Sequence, residues 1–224
     1  MDAHMTKTTK TKPASLDEDE VLRAIQGGPH DWVDVGHSEL ASWTFGSGPE
    51  LVFVHGWPLH SATFRKLVPI LAEHFTCRLF DLPGVGQTRT GPEARIGLKE
   101  HADTLQRFVD RLGLRRFALI GHDSGAAIVR FAAAAMGDRV SALVMGNTEI
   151  PGHHAWQLKA YLLALKIPGG LKMFSASLGW RWMRRSPLGF GGCFTDAAYA
   201  DGAFGDLFVR PLRNDPAVLA GQVR

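Results

Sequence analysis

Between residues 51 and 146 short apolar runs alternate with longer amphipathic stretches. The runs at 51–54, 76–80, 117–120 and 142–146 are apolar on consecutive positions instead of alternate ones, which predicts strands buried on both faces of a sheet. The intervening spacing predicts helices near 61–73 and over 98–112 and 125–136. Strand and helix in strict alternation predict an α/β fold with a mostly parallel, doubly wound sheet and right-handed crossovers. Catalytic groups in such a sheet collect at the carboxyl ends of the strands. Upstream, a helix is predicted over 18–26, capped by Ser15 or Asp17 and stopped by Gly27-Gly28-Pro29. Two short strands, 32–35 and 41–45, precede the turn Gly46-Ser47-Gly48-Pro49.

Past Ile150 no further sheet strand is evident, and the chain becomes rich in Gly, Trp, Phe, Leu and Arg. Helical patches are expected at 155–166 and 171–185, with loops at 167–170 and 189–192. The first 15 residues carry almost no apolar side chains and are expected to be disordered. The pattern therefore divides the chain into a tail at 1–15, an α/β core at 16–150 and a helical region at 151–224. The basic-aromatic run from Trp180 to Arg185 reads as a solvated helix face.

Composition narrows the partners. The 25 Lys and Arg against 22 Asp and Glu are spread along the 224 residues, so no nucleic-acid surface is implied. Cys77 and Cys193 make neither a disulfide framework nor a metal-ligand spacing, and a reducing, cytoplasmic setting is expected. No apolar run approaches the ~20 residues that cross a bilayer, and no membrane partner is expected.

The segment Gly121-His122-Asp123-Ser124-Gly125 follows the apolar run 117–120 and opens a small-residue helix. A nucleophile on such a strained strand-to-helix turn needs small residues two positions to either side. The glycine pair frames Asp123, whereas a Ser124 nucleophile would put His122 where glycine is wanted. An Asp that merely caps the helix would not require those glycines. His122 is expected to point into the supporting helices. Two more motifs follow strands: His55-Gly56-Trp57-Pro58 after 51–54, and Asp81-Leu82-Pro83-Gly84-Val85-Gly86-Gln87-Thr88 after 76–80. The second reads as a structural turn. His55 reads as a hydrogen-bonding pocket residue and not as a base.

With these three motifs in this order the chain resembles the α/β-hydrolase superfamily, and within it the branch with an aspartate nucleophile, the epoxide hydrolases and haloalkane or haloacid dehalogenases. The resemblance rests on residues 30–150. It implies an α/β-hydrolase fold with a helical cap after the sixth strand, no metal or organic cofactor, and water with a small apolar electrophile as substrates. Asp123 would attack carbon and form an ester. The backbone N–H groups of Trp57 and Ser124 would form the oxyanion hole, and the Trp57–Pro58 bond is expected to be cis. Glu149, two residues past Asn147, is the candidate acid. The catalytic histidine of that fold follows an eighth strand, and the seventh and eighth strands are missing from the pattern. His153 and His154, the last histidines, read as pocket or cap-hinge residues. Tyr161 and Tyr199 are the cap-side hydroxyls available to an opening epoxide. Epoxide hydrolysis leads because Ser124 stands where dehalogenases carry a halide-binding side chain. A dehalogenase, a Ser124 esterase and an inactive or binding fragment follow. A sheet ending at its sixth strand would also expose an edge prone to self-association.

Overall fold

Asp17 opens the first helix, α1 (Glu18–Gly27), by accepting the Glu20 N–H while the Glu20 side chain accepts its own N–H, so two otherwise orphaned donors are satisfied. Val21 and Ile25, one turn apart, are the buried stripe of that helix. The computed structural model describes residues 16–148 and 156–221.

The strands are β1 (Asp31–Asp34), β2 (Ser38–Phe45), β3 (Glu50–Val54), β4 (Thr76–Phe80), β5 (Arg89–Thr90), β6 (Phe117–His122) and β7 (Val140–Gly146). They form one sheet in the order β1-β2-β4-β3-β6-β7, with β5 paired to β2. Strands β4, β3, β6 and β7 run parallel, while β1 and β2 are antiparallel additions at one side. From β3 the chain steps to β4 on one side and later to β6 on the other. That reversal leaves a crevice beyond the carboxyl ends of β3 and β6, where ligands bind in open α/β sheets.

Each face of the sheet has its own core. Helices α3 (Leu98–Arg111) and α4 (Ser124–Met136) cover one face, where Phe80 stacks on Phe108 at 4.3 Å between centroids. On the other face Trp43, Phe53 and Leu79 meet α1 and residues of the helical second half, among them Leu178, Phe208 and Leu212. The helix expected at 61–73 is two pieces, a 3-10 turn at Ser61–Phe64 and α2 (Val68–Leu71). Pro69 explains the break, since it donates no N–H and is accepted only in a first helical turn. The second half holds α5 (Trp156–Leu165), α6 (Gly170–Ser177), α7 (Arg181–Arg185), α8 (Arg210–Asn214) and α9 (Pro216–Gly221). The stretch expected as one helix over 171–185 is split around Gly179, and a π-turn at Gly205–Val209 leads into α8.

Among the described residues β7 pairs with β6 alone. Its Leu143, Val144 and Met145 are 37%, 54% and 45% exposed, although the same apolar pattern in β3 is fully buried. No helix of the described residues is long and apolar enough to cross a membrane.

Candidate active site

Asp123 joins β6 to α4 with φ 57° and ψ −131°, a conformation that costs a non-glycine residue ~1–3 kcal/mol. Among the described residues only Asp123 and Asn147 are non-glycine residues with positive φ, and they sit just past the carboxyl ends of neighbouring strands. The Asp123 N–H donates to the Gly146 carbonyl at 3.0 Å, which ties the two turns together. The flanking glycines are steric necessities. A Cβ on Gly121 would lie 2.6 Å from Ala126 Cα and from the Gly125 carbonyl, and one on Gly125 would overlap the Val54 carbonyl at the end of β3.

That packing presents the Asp123 carboxylate to the loop after β3. The Trp57 N–H lies 2.9 Å from Asp123 Oδ2 and 3.0 Å from Ser124 Oγ, a shared donor. Gly56 makes the approach possible, because a Cβ there would overlap the carboxylate. The Trp57–Pro58 peptide is cis. Burial raises the Asp123 pKa above the usual carboxylate value, opposed by the backbone N–H groups of Ser124 and Trp57, the charge of His122 and the Ser124 hydroxyl. The Ser124 oxygen is thus held between the Trp57 N–H and the carboxylate.

His55 is fully buried, and both of its ring nitrogens are engaged. Nδ1 lies 3.0 Å from the Gly56 carbonyl, and Nε2 accepts the Leu82 N–H at 3.0 Å, so the proton belongs on Nδ1. Burial lowers its pKa to about 4 despite the nearby Asp81 charge. Asp81, also buried, accepts from the Ser61 N–H at 2.8 Å, the Ser61 hydroxyl at 2.6 Å and the Gln87 N–H at 2.8 Å. These residues brace the loops that flank the site.

Asp123 opens on a cavity of about 530 Å³ whose walls include Trp57, Arg65, His122, Asn147, Cys193 and Tyr199. Phe190, Phe194, Phe204 and Phe208 make one side apolar, with Phe204 edge-on to Phe190 and Phe194 at 5.2 and 5.0 Å between centroids. His122 departs from expectation, since it borders this cavity instead of turning into the helices. Its Nε2 lies 3.3 Å from Asn147 Nδ2, and its Nδ1 is buried without a partner among the described residues. Of the two tyrosines, Tyr199 lines the cavity and its oxygen accepts from Arg65 Nη2 at 3.2 Å. Tyr161 instead packs its ring on Trp57 at 4.8 Å, and burial pushes its hydroxyl pKa up. Glu149, His153 and His154 lie outside the described residues.

Arg65, Cys193 and the phenylalanine wall are cavity residues that no local sequence pattern marks. Arg65 sits in a stretch patterned as an ordinary amphipathic helix, and the phenylalanines have no common period. Burial, with the Asp123 charge, raises the Cys193 thiol. Among the described residues no cluster of three or more His, Cys, Asp or Glu is placed to hold a metal ion.

A family model described as the alpha/beta hydrolase fold matches residues 49–186. Haloalkane dehalogenase 2 of Mycobacterium tuberculosis is 32% identical over 137 residues, covering 61% of this chain and 48% of that protein. The soluble epoxide hydrolase of a Corynebacterium species is 35% identical over 109 residues, covering 49% of this chain and 37% of that protein. The chain thus spans about half the length, or less, of these curated relatives. Among solved structures, the epoxide hydrolase CorEH without ligand superposes with a TM-score of 0.67 at 23% identity, covering 87% of this chain and 71% of that one.

Proposed function

The chain belongs to the α/β-hydrolase fold family, and from that premise we propose that it is a hydrolase whose nucleophile is Asp123, acting on small apolar electrophiles and foremost on epoxides. The observation that carries this reading is the Asp123 elbow. A carboxylate is held there at a strained backbone, inside a cavity with an apolar wall, with the Trp57 N–H 2.9 Å from one of its oxygens. In the first step a carboxylate oxygen bonds to an epoxide carbon while the ring C–O bond breaks, leaving an ester on Asp123 and an alkoxide that takes up a proton. In the second, water deprotonated by a base attacks the ester carbonyl, and the Trp57 and Ser124 N–H groups stabilise the oxyanion. Trp57 and Ser124 serve through their backbones, and His55 holds the loop in place.

Dehalogenation is the second reading, favoured by the 32% identity to a haloalkane dehalogenase. It uses the same attack, with halide as the leaving group. A Ser124 esterase is disfavoured because the hydroxyl already accepts the Trp57 N–H at 3.0 Å and supports the Asp123 carboxylate. Residues 151–224 would form the helical cap and 16–150 the core.

Intact-mass spectrometry after rapid acid quench tests the proposal. Incubation with styrene oxide should add the mass of the whole epoxide, and incubation with 1-bromobutane should add a butyl group with loss of bromide. Absence of any adduct from either reagent would overturn it.

A further inference from the structure

Arg65 is a buried charge at the end of the 3-10 turn Ser61–Phe64. It is 5% exposed, donates from Nε to Glu18 Oε1 at 2.9 Å and from Nη1 to the Ala62 carbonyl at 3.2 Å, and still lines the cavity that holds Asp123. Its remaining arm, Nη2, lies 3.2 Å from the Tyr199 oxygen. Arginine has only donors, so in this contact the phenol must accept. Tyr199 then has to give its own proton elsewhere. Glu18 is already engaged by Arg65 and lies 4.0 Å from Lys66 Nζ. Phe194, 5.0 Å from the Tyr199 ring, offers no acceptor, and Lys66 stands 5.4 Å over the ring face. Tyr199 is 40% exposed and lines the cavity that holds Asp123, so its hydroxyl can present its proton to a molecule bound there.

We propose that Arg65, anchored by Glu18, is a positioning residue that turns the Tyr199 hydroxyl proton toward the oxygen leaving an epoxide carbon. The inference rests on the reading of Asp123 as nucleophile. As the Asp123–carbon bond forms and the ring C–O bond breaks, the alkoxide takes the Tyr199 proton. The guanidinium, already donating to that oxygen, stabilises the phenolate until water reprotonates it. A leaving halide needs no proton, so the relay distinguishes the two substrate classes and assigns specificity to a residue of the sheet half of the chain.

The test compares labelling rates of Asp123 by styrene oxide and by 1-bromobutane. Arg65→Gln and Tyr199→Phe should each slow labelling by the epoxide at least tenfold and leave labelling by the bromide within about twofold. Arg65→Lys, which keeps the charge, should recover part of the epoxide rate. Equal losses with both reagents, or no loss with the epoxide, would overturn the proposal. If Arg65→Gln does not fold, Tyr199→Phe, which leaves the Arg65–Glu18 pair intact, carries the same comparison. A second arm does not depend on Asp123 reacting. The chain has two tyrosines, so with [ζ-13C]tyrosine and Tyr161→Phe a single signal reports Tyr199. Isobutyramide, an unreactive carbonyl acceptor, should move that signal in the Arg65 protein and not in Arg65→Gln. A signal that stays fixed, or moves equally in both, would overturn the relay. Failure of both reagents to label Asp123 while the amide still moves the signal would contradict the nucleophile reading and leave the donor site standing.

Discussion

The Trp57 N–H lies 2.9 Å from Asp123 Oδ2, although 66 residues separate them in the chain. Two parallel strands make the contact, because β3 and β6 are hydrogen-bonded neighbours with Val54 opposite Gly121. Any loop following β3 therefore ends beside any turn following β6. Small residues close the remaining gap, and they supply the first expectation.

Gly125→Ala should destabilise the fold by ~2 kcal/mol or more, since its Cβ would press on the Val54 and His55 carbonyls, backbone groups at the end of β3 that cannot swing away as a side chain can. Gly56→Ala should behave differently. Its Cβ meets the Asp123 side chain, so adduct formation should fall far more than stability. Urea denaturation midpoints beside adduct yields separate the two, and equal effects of both substitutions on both readouts would contradict the geometry.

The buried, neutral His55 predicts a pH dependence of stability. Its pKa falls from 6.5 to about 4 on folding, so the unfolded chain binds more protons between those values. The contribution is fully present above pH 6.5 and is lost as the pH falls toward 4, by ~3 kcal/mol at most. His55→Asn should show a shallower loss between pH 7 and pH 4.5 in denaturant titrations. A slope unchanged by the substitution would mean that His55 is not held neutral.

The second half-reaction should be slow in this chain. Among the described residues His122 is the histidine that lines the cavity with Asp123, and its Nε2 faces the Asn147 amide donor at 3.3 Å. A ring that accepts there carries its proton on Nδ1 and has no lone pair left to activate water. Quench-flow with styrene oxide should show a burst of one equivalent of adduct and little turnover after it. Sustained turnover abolished by replacing His153 and His154 together would contradict this and place the base there, with Glu149 as its partner.

Strand β7 should make the chain associate. Val144 and Met145 are half exposed on a strand that the described residues pair on one side only. Sedimentation velocity should show concentration-dependent oligomers that Val144→Lys shifts toward monomer. A monomer at all concentrations without the substitution would contradict the expectation.

Most of the sheet was legible because its strands are continuous apolar runs, and the elbow because two glycines bracket Asp123. What the sequence concealed depends on contacts between distant segments. β5, two residues long, exists because Ser38 and Glu39 lie opposite it. Arg65 meets Tyr199 across 134 residues, and no local pattern connects them. The chain position of His122 suggests the interior, yet the turn that strains Asp123 also brings the preceding side chain to the cavity. The split of the expected 61–73 helix was readable, because Pro69 stands in it.

The most direct measurement is the position of the adduct. Chain quenched after exposure to styrene oxide, digested and sequenced by tandem mass spectrometry should carry the added mass on Asp123. Asp123→Asn should abolish the adduct, and Ser124→Ala should retain it within about fivefold, because an ester at the elbow needs the carboxylate and only backbone donors beside it. An adduct mapped to Ser124, or one that survives Asp123→Asn and disappears with Ser124→Ala, would contradict the account.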